Sequence, residues 1–212
     1  MRPVRLTRAQ QQAVTRERLL AAAEQVIDRH GFGGASIDLI SAEAGYSKGA
    51  IYSNFESKEA VFLELLRQYM ERDMAELERI VGLDPERLPA TLTDWLANLD
   101  AGRDCPLLAT ELQLQARRSP AFAERYYALQ EKQLVTLAGI LERYFEAVSA
   151  PLPMDALDLA ASLTALAHGL SLQRPLRERG AANPAGTIID GLLNCLAQRE
   201  GHSPLSTREV VE

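Results

Sequence analysis

Residues 47–54 read SKGAIYSN, and in a short helix Ser47, Lys48, Gly49, Tyr52, Ser53 and Asn54 face outward while Ala50 and Ile51 face inward. The outward set offers hydroxyl, ammonium and carboxamide donors, and a glycine that lets a partner come close. No carboxylate interrupts it. Such a surface suits a polyanion that also presents readable base edges. Catalytic chemistry has no comparable foothold. The histidines, His30, His168 and His202, are scattered, and no Ser/His/Asp set, metal-ligand spacing or glycine-rich phosphate loop occurs. No enzyme activity, cofactor or metal is therefore expected. An all-α enzyme that kept a degenerate head is the weaker alternative.

The donors need a rigid mount, and the flanking residues predict one. Ser36 caps a helix ending near Ala44, Gly45 supplies a positive φ, Ser47 caps a second helix to about Asn54, and Ser57 caps a third with Glu59 in its first turn. Ile37, Ile40, Ala44, Ile51 and Phe55 lie at inward positions, with small Ser41 where the first two helices cross. This is the pattern of a helix-turn-helix, whose second helix can enter a major groove. A preceding helix, about Thr15 to His30, places Leu20, Ala23 and Ile27 on one face and stops at Gly31. Together these make a three-helix head.

The helix after Ser57 meets no breaker before Gly82 and is long enough to leave the head and enter a second region. Further helices are expected at about Leu88 to Ala101, Cys105 to Arg117, Pro120 to Val148, Met154 to Gln173 and Asn183 to Gln198, separated by Pro-, Gly- or Asp-containing links. Alternating β patterns are absent. The fold class is all-α, with about nine helices. The expected division is a head over 1–56 with an arm over 1–14, a connecting helix over 57–82, a ligand-binding and dimerisation domain over 83–200, and a flexible tail over 201–212.

The 212 residues carry a net charge of −6, unevenly spread. Residues 1–60 hold eight basic and seven acidic side chains, and the remainder holds fifteen and twenty-two. Arg2, Arg5, Arg8, Arg16 and Arg18, opposed by Glu17, form an arm that either touches phosphate or is a solvated tail. No apolar run of about 18 residues is present, so no membrane association and a cytoplasmic location are expected. Cys105 and Cys195 are expected to be buried free thiols.

The stretch Thr15 to Leu66, TRERLLAAAEQVIDRHGFGGASIDLISAEAGYSKGAIYSNFESKEAVFLELL, resembles the tetracycline-repressor (TetR) family of bacterial transcriptional regulators. The likeness rests on TRERLLAAA, HGF, EAG, SKGAIYSNF and SKEAVF in this order. Ser41 departs from the family's usual alanine and Tyr46 from its usual valine. The resemblance implies a homodimer that binds a double-stranded DNA operator and a small organic ligand. Lys48 and its neighbours, Gly49 included, would enter the groove. Tyr46, Ser47, Tyr52, Asn54 and Lys58 would serve phosphates, with Ser36 a further phosphate candidate at a helix N-terminus.

In the C-terminal part, TELQLQARRSPAFAERY and ALAHGLSLQ look like one subtype of that family. Trp95, Leu99, Leu112, Gln113, Phe122, Tyr126 and Tyr127 are candidates for a mostly apolar pocket. His168 is either an interface histidine or a polar pocket contact. Leu157, Ala161, Leu166, Gly169, Ile188, Leu192 and Leu196 make apolar stripes on the last two helices. These are either a four-helix dimer interface or internal core. The expected function is a repressor released from a palindromic operator by a small, largely apolar ligand; an activator or partner-controlled regulator of the same fold is the alternative.

Overall fold

The computed structural model describes residues 7–98, 105–173 and 184–198. Among these, nine helices and no strand occur: α1 (Arg8–Gly34), α2 (Ile37–Ala44), α3 (Lys48–Tyr52), α4 (Lys58–Val81), α5 (Leu88–Ala97), α6 (Cys105–Arg118), α7 (Pro120–Ala147), α8 (Ala156–Leu172) and α9 (Pro184–Ala197). The tail over 201–212, Arg2, Arg5 and Leu99 lie outside the described residues. None of the described helices is long and apolar enough to cross a membrane.

The first helix begins at Arg8, seven residues ahead of the expected Thr15. Thr7 explains the difference. Its hydroxyl accepts from the Gln10 amide at 3.2 Å, and the Gln10 side-chain oxygen accepts from the Thr7 amide at 2.8 Å, a capping box. The turns that follow are exposed, so no apolar periodicity announces them. Much of the expected arm is therefore helix. Gly31 does take the expected positive φ, +65°, although one more helical turn follows it to Gly34.

The caps of the helix-turn-helix fall where the sequence places them. Ser36, Ser47 and Ser57 each accept a backbone N–H at 3.2 Å, from Leu39, Ala50 and Ala60. Gly45 closes α2 at φ +69°, ψ +28°, a left-handed conformation that costs a glycine little. α3 stops at Tyr52, two residues short of the expected end. A bidentate Arg29–Glu43 pair, at 2.7 and 3.1 Å, braces α1 against α2.

Two apolar cores follow one another along α4. The first joins Leu19, Leu20, Ala23 and Val26 of α1 to Ile40, Ile51 and Phe55, then to Val61, Phe62, Leu65, Leu66 and Met70 of α4. It continues into α6 and α7 through Leu108, Leu112, Phe122 and Tyr126. The second gathers Leu77 and Ile80 of α4 with Leu88, Leu92 and Leu96 of α5, Ile140, Leu141, Tyr144 and Phe145 of α7, and Leu159, Leu163, Ile189 and Leu193. Each large side chain fully buried in these cores contributes about 1.5–3 kcal/mol. α7 runs alongside α4 in the same sense. The pairs Arg125–Glu56 (2.9 Å), Lys132–Glu71 (3.5 Å) and Arg143–Glu78 (3.4 Å) mark their register.

Cys195 is exposed rather than buried. It lies on the outer face of α9 with Ile188 and Leu192, at i, i+4 and i+7. The Cys105 side chain lies outside the described set.

Candidate nucleic-acid interface and ligand cavity

The face of α3 that reads as a donor surface is exposed at Ser47, Lys48, Gly49, Tyr52 and Ser53, with Tyr52 58% accessible. The hydroxyls of Ser36 and Ser47 accept cap bonds, which leaves each O–H to donate. A Cβ on Gly49 would meet nothing closer than the Ser47 Oγ at 3.6 Å, so packing within the head does not require glycine there. Lys48 is ion-paired with Asp38 of α2, and that carboxylate raises the lysine's pKa. Tyr46 is half-buried against the head core and accepts from Arg18 Nη1 at 3.4 Å. The Thr15 and Arg18 side chains hold its phenol below the usual range.

Two expected phosphate donors are engaged within the chain. Lys58 Nζ donates to the Phe32 and Ala35 carbonyls at 3.1 and 3.2 Å and sits 4.4 Å from the centre of the Phe32 ring. Its ammonium thereby holds the start of α4 to the end of α1. Asn54 Nδ2 donates to the Ala50 carbonyl at 2.8 Å and the Ser53 hydroxyl at 3.3 Å. A phosphate contact by the Asn54 amide requires these bonds to be exchanged, whereas Lys58 keeps the third of its N–H donors. Arg16 also turns inward, donating to the Asn54 carbonyl at 2.8 Å, lying 4.2 Å over the Phe55 ring and pairing with Glu64 at 3.4 Å.

The second core forms a partly open cavity of about 150 Å³ between α4, α5, α7, α8 and α9. Trp95 and His168 line it, as the sequence suggests. The other described candidates do not. Leu112, Phe122 and Tyr126 are buried in the first core, where Tyr126 Oη donates to the Ala109 carbonyl at 3.2 Å. Gln113 and Tyr127 are exposed. Phe122 and Tyr126 thus pack in the first core, where α6 and α7 meet α4. The walls missed by sequence reasoning include Met70, Met74, Leu137, Tyr144 and the polar Asp73, Gln133 and Thr164. A polar residue on an amphipathic helix reads by default as solvent-facing, so nothing in the sequence singles these out.

Burial raises the pKa of Asp73 above the ordinary carboxyl value, against a weaker opposing pull from Arg72. Burial likewise lowers that of His168, which favours the neutral imidazole. The folded state thus holds the Asp73 proton more tightly than the unfolded chain does. The associated loss of stability is absent below the ordinary carboxyl pKa and grows as pH rises through the raised one. Asp73→Asn is expected to raise the Tm of the ligand-free protein at neutral pH, by roughly 2–4 °C if the penalty is about 1 kcal/mol. The gain should vanish in acid; equal Tm values for both proteins across the whole pH range would contradict it.

On α8 and α9 the apolar stripes divide. Leu159, Leu163, Ile189 and Leu193 face the core, and Leu166 and Leu196 pack partly against it. Leu157, Ile188 and Leu192 are 47, 43 and 40% accessible, with Ala161 exposed beside them. A Cβ at Gly169 or Gly191 would meet nothing within 4 Å. Packing within the subunit therefore does not require glycine at either position.

Residues 19–65 match the model of the tetR family of bacterial regulatory proteins. The chain is 29% identical over 148 residues to the HTH-type transcriptional regulator EthR of Mycolicibacterium smegmatis, covering 68% of this chain and 67% of the relative. It is also 29% identical over 139 residues to the HTH-type transcriptional repressor AcnR of Corynebacterium diphtheriae, covering 62 and 64%. These alignments span about two thirds of each relative. A solved TetR-family regulator from Agrobacterium tumefaciens superposes with a TM-score of 0.63 at 26% identity, over 87% of this chain and 98% of that one. With the motif order of its head, residues 19–65 are a TetR-family DNA-binding head, and the helical body behind it shares the fold of a solved TetR-family regulator.

Proposed function

We propose that the protein is a dimeric repressor that clamps a palindromic DNA operator with two heads and leaves it when a small, largely apolar molecule enters the cavity of the body. The division is a head over 1–56, a connecting helix over 57–82 and a sensing and dimerising body over 83–200. One observation carries the reading: α4 belongs to both ends. Its 24 residues span about 36 Å, and Met70 is at once part of the head core and a wall of the cavity. A ligand that displaces Met70 moves a side chain on which the head is built.

The exposed apolar faces of α8 and α9 support a two-fold interface in which the small residues Ala161, Gly169 and Gly191 let helices approach. The donor face of α3 supports groove entry, with Gly49 leaving room for close approach and Ser36, Ser47 and Tyr52 available to phosphates. Two heads read successive major grooves when they stand about 34–36 Å apart. A ligand that favours another separation releases the operator by shifting the population of states.

A mobility-shift titration across salt, on DNA flanking the gene, tests the first half. A dimer holding six to ten phosphates should give a log–log slope of about −5 to −9, and Tyr52→Ala should weaken binding roughly five- to tenfold. A flat slope, or undiminished binding by the variant, would remove α3 as the DNA-facing element.

A further inference from the structure

Two acceptors in the wall of the cavity lack donors. Asp73, on α4, is half-buried and has no hydrogen-bond or ion-pair partner among the described residues. Arg72, beside it in sequence, has its guanidinium 5.5 Å from the Tyr69 ring centre and acts on Asp73 only through its field. Gln133, on α7, has a buried side-chain oxygen with no donor. The Lys132–Glu71 pair sets the register of α7 on α4, and Gln133 and Asp73 follow those partners by one and two residues, so they come from adjoining walls. α8 adds the Thr164 hydroxyl and an imidazole that burial keeps neutral. Among the described residues, no lysine or arginine lines the cavity.

Such a pocket is unfavourable when empty, because a carboxylate and an amide oxygen lose water without gaining donors. An anionic guest would deepen that cost. A neutral hydrocarbon would leave it unchanged. A guest carrying N–H donors and a positive charge would satisfy both groups, while Leu77, Leu92, Trp95, Leu137 and Leu163 close on its apolar part.

We infer that the ligand of this cavity is a small cationic amphiphile, a protonated amine on a compact hydrocarbon body, whose ammonium is received by Asp73 and Gln133. This rests on the proposed role of the cavity as the sensor and specifies its chemistry. The volume limits the body to about one six-membered ring, since an apolar cavity of about 150 Å³ accommodates a benzene-sized group.

Trp95 is the sole tryptophan of the sequence and lines the cavity, so its fluorescence reports occupancy. The test is a titration of the full chain near neutral pH with cyclohexylmethylamine, cyclohexylmethanol and cyclohexanecarboxylate, whose rings do not absorb the exciting light. The amine should bind at least about tenfold more tightly than the alcohol, and the carboxylate least. In Asp73→Asn, a neutral and near-isosteric change, the preference for amine over alcohol should collapse to within about threefold, while alcohol binding persists. Alcohol or carboxylate binding as tight as the amine, or a preference unchanged in the variant, would overturn the cationic assignment and leave the cavity as a sensor. No response to any of the three compounds would overturn the cavity's role and the assignment with it. The wild-type comparison decides the question even where the variant fails to fold.

Discussion

Replacing Leu192 with glutamate is expected to leave the subunit folded, convert the dimer to monomers and lower operator affinity by at least about a hundredfold. The subunit tolerates the change because Leu192 is already 40% accessible, and its neighbours Ile188 and Cys195 on the same face of α9 are exposed as well. The proposed dimer does not. With these faces at its two-fold axis, each glutamate would meet an apolar surface and lie close to its own copy, so two like charges would lose water together. Operator affinity falls because the second head no longer binds as part of the same molecule. Light scattering on a sizing column reads the mass, circular dichroism reads the fold, and a mobility shift reads the DNA. A variant that remains dimeric would place the interface elsewhere on the molecule.

The second large effect is expected at Gly186. A Cβ built there would stand 1.7 Å from the Leu96 carbonyl oxygen and 2.4 Å from its carbon. Both are backbone atoms, so no rotamer change relieves the overlap, and α9 must move away from α5. Gly186→Ala should cost about 2–4 kcal/mol, which for a chain of this size lowers Tm by on the order of 5–15 °C. Leu96 at this crossing, and Ile189 and Leu193 on α9, also line the cavity, so the response of Trp95 fluorescence to ligand should be lost too. Gly33→Ala and Gly139→Ala are the controls, since neither lies on the faces proposed to pair. An added methyl meets nothing within 4 Å at Gly33 and only the Arg143 side chain, at 3.8 Å, at Gly139, and alanine favours a helix over glycine by about 1 kcal/mol. Thermal denaturation of the three variants should therefore separate them, with Gly186→Ala far below the controls; a Gly186→Ala protein as stable as the other two would mean that the α5–α9 contact is looser than described.

The head was legible because its determinants are local. Ser36, Gly45, Ser47 and Ser57 each act on backbone within three or four residues, so type and spacing suffice to place the turns. The start of α1 escaped because a Thr/Gln capping box, rather than an apolar face, defines it. Lys58 and Asn54 illustrate a different limit. Their types mark them as donors, but type says nothing of distant acceptors: Lys58 meets carbonyls 23 and 26 residues away, contacts that exist only after α1 and α4 have packed. The cavity is harder still, being assembled from five helices. Trp95 and His168 were identifiable as a large aromatic and a polar group on apolar helices. Asp73 and Gln133 sit among many acids and amides of α4 and α7, and only the packing distinguishes them from solvated neighbours.

The Lys48–Asp38 pair also bears on how the protein finds its site in a chromosome. The lysine that projects from α3 already has a carboxylate partner on α2 before any DNA arrives, and the molecule as a whole carries excess negative charge. In the proposed complex, arbitrary sequence would exchange the pair for one phosphate contact, a nearly even exchange at the surface. A base edge that offers the ammonium a better acceptor can repay the exchange; random DNA has little with which to do so. With α3 in the groove as proposed, residence on wrong sites would be shortened, fewer molecules would be held by the bulk of the genome, and a small cellular pool would suffice for one promoter.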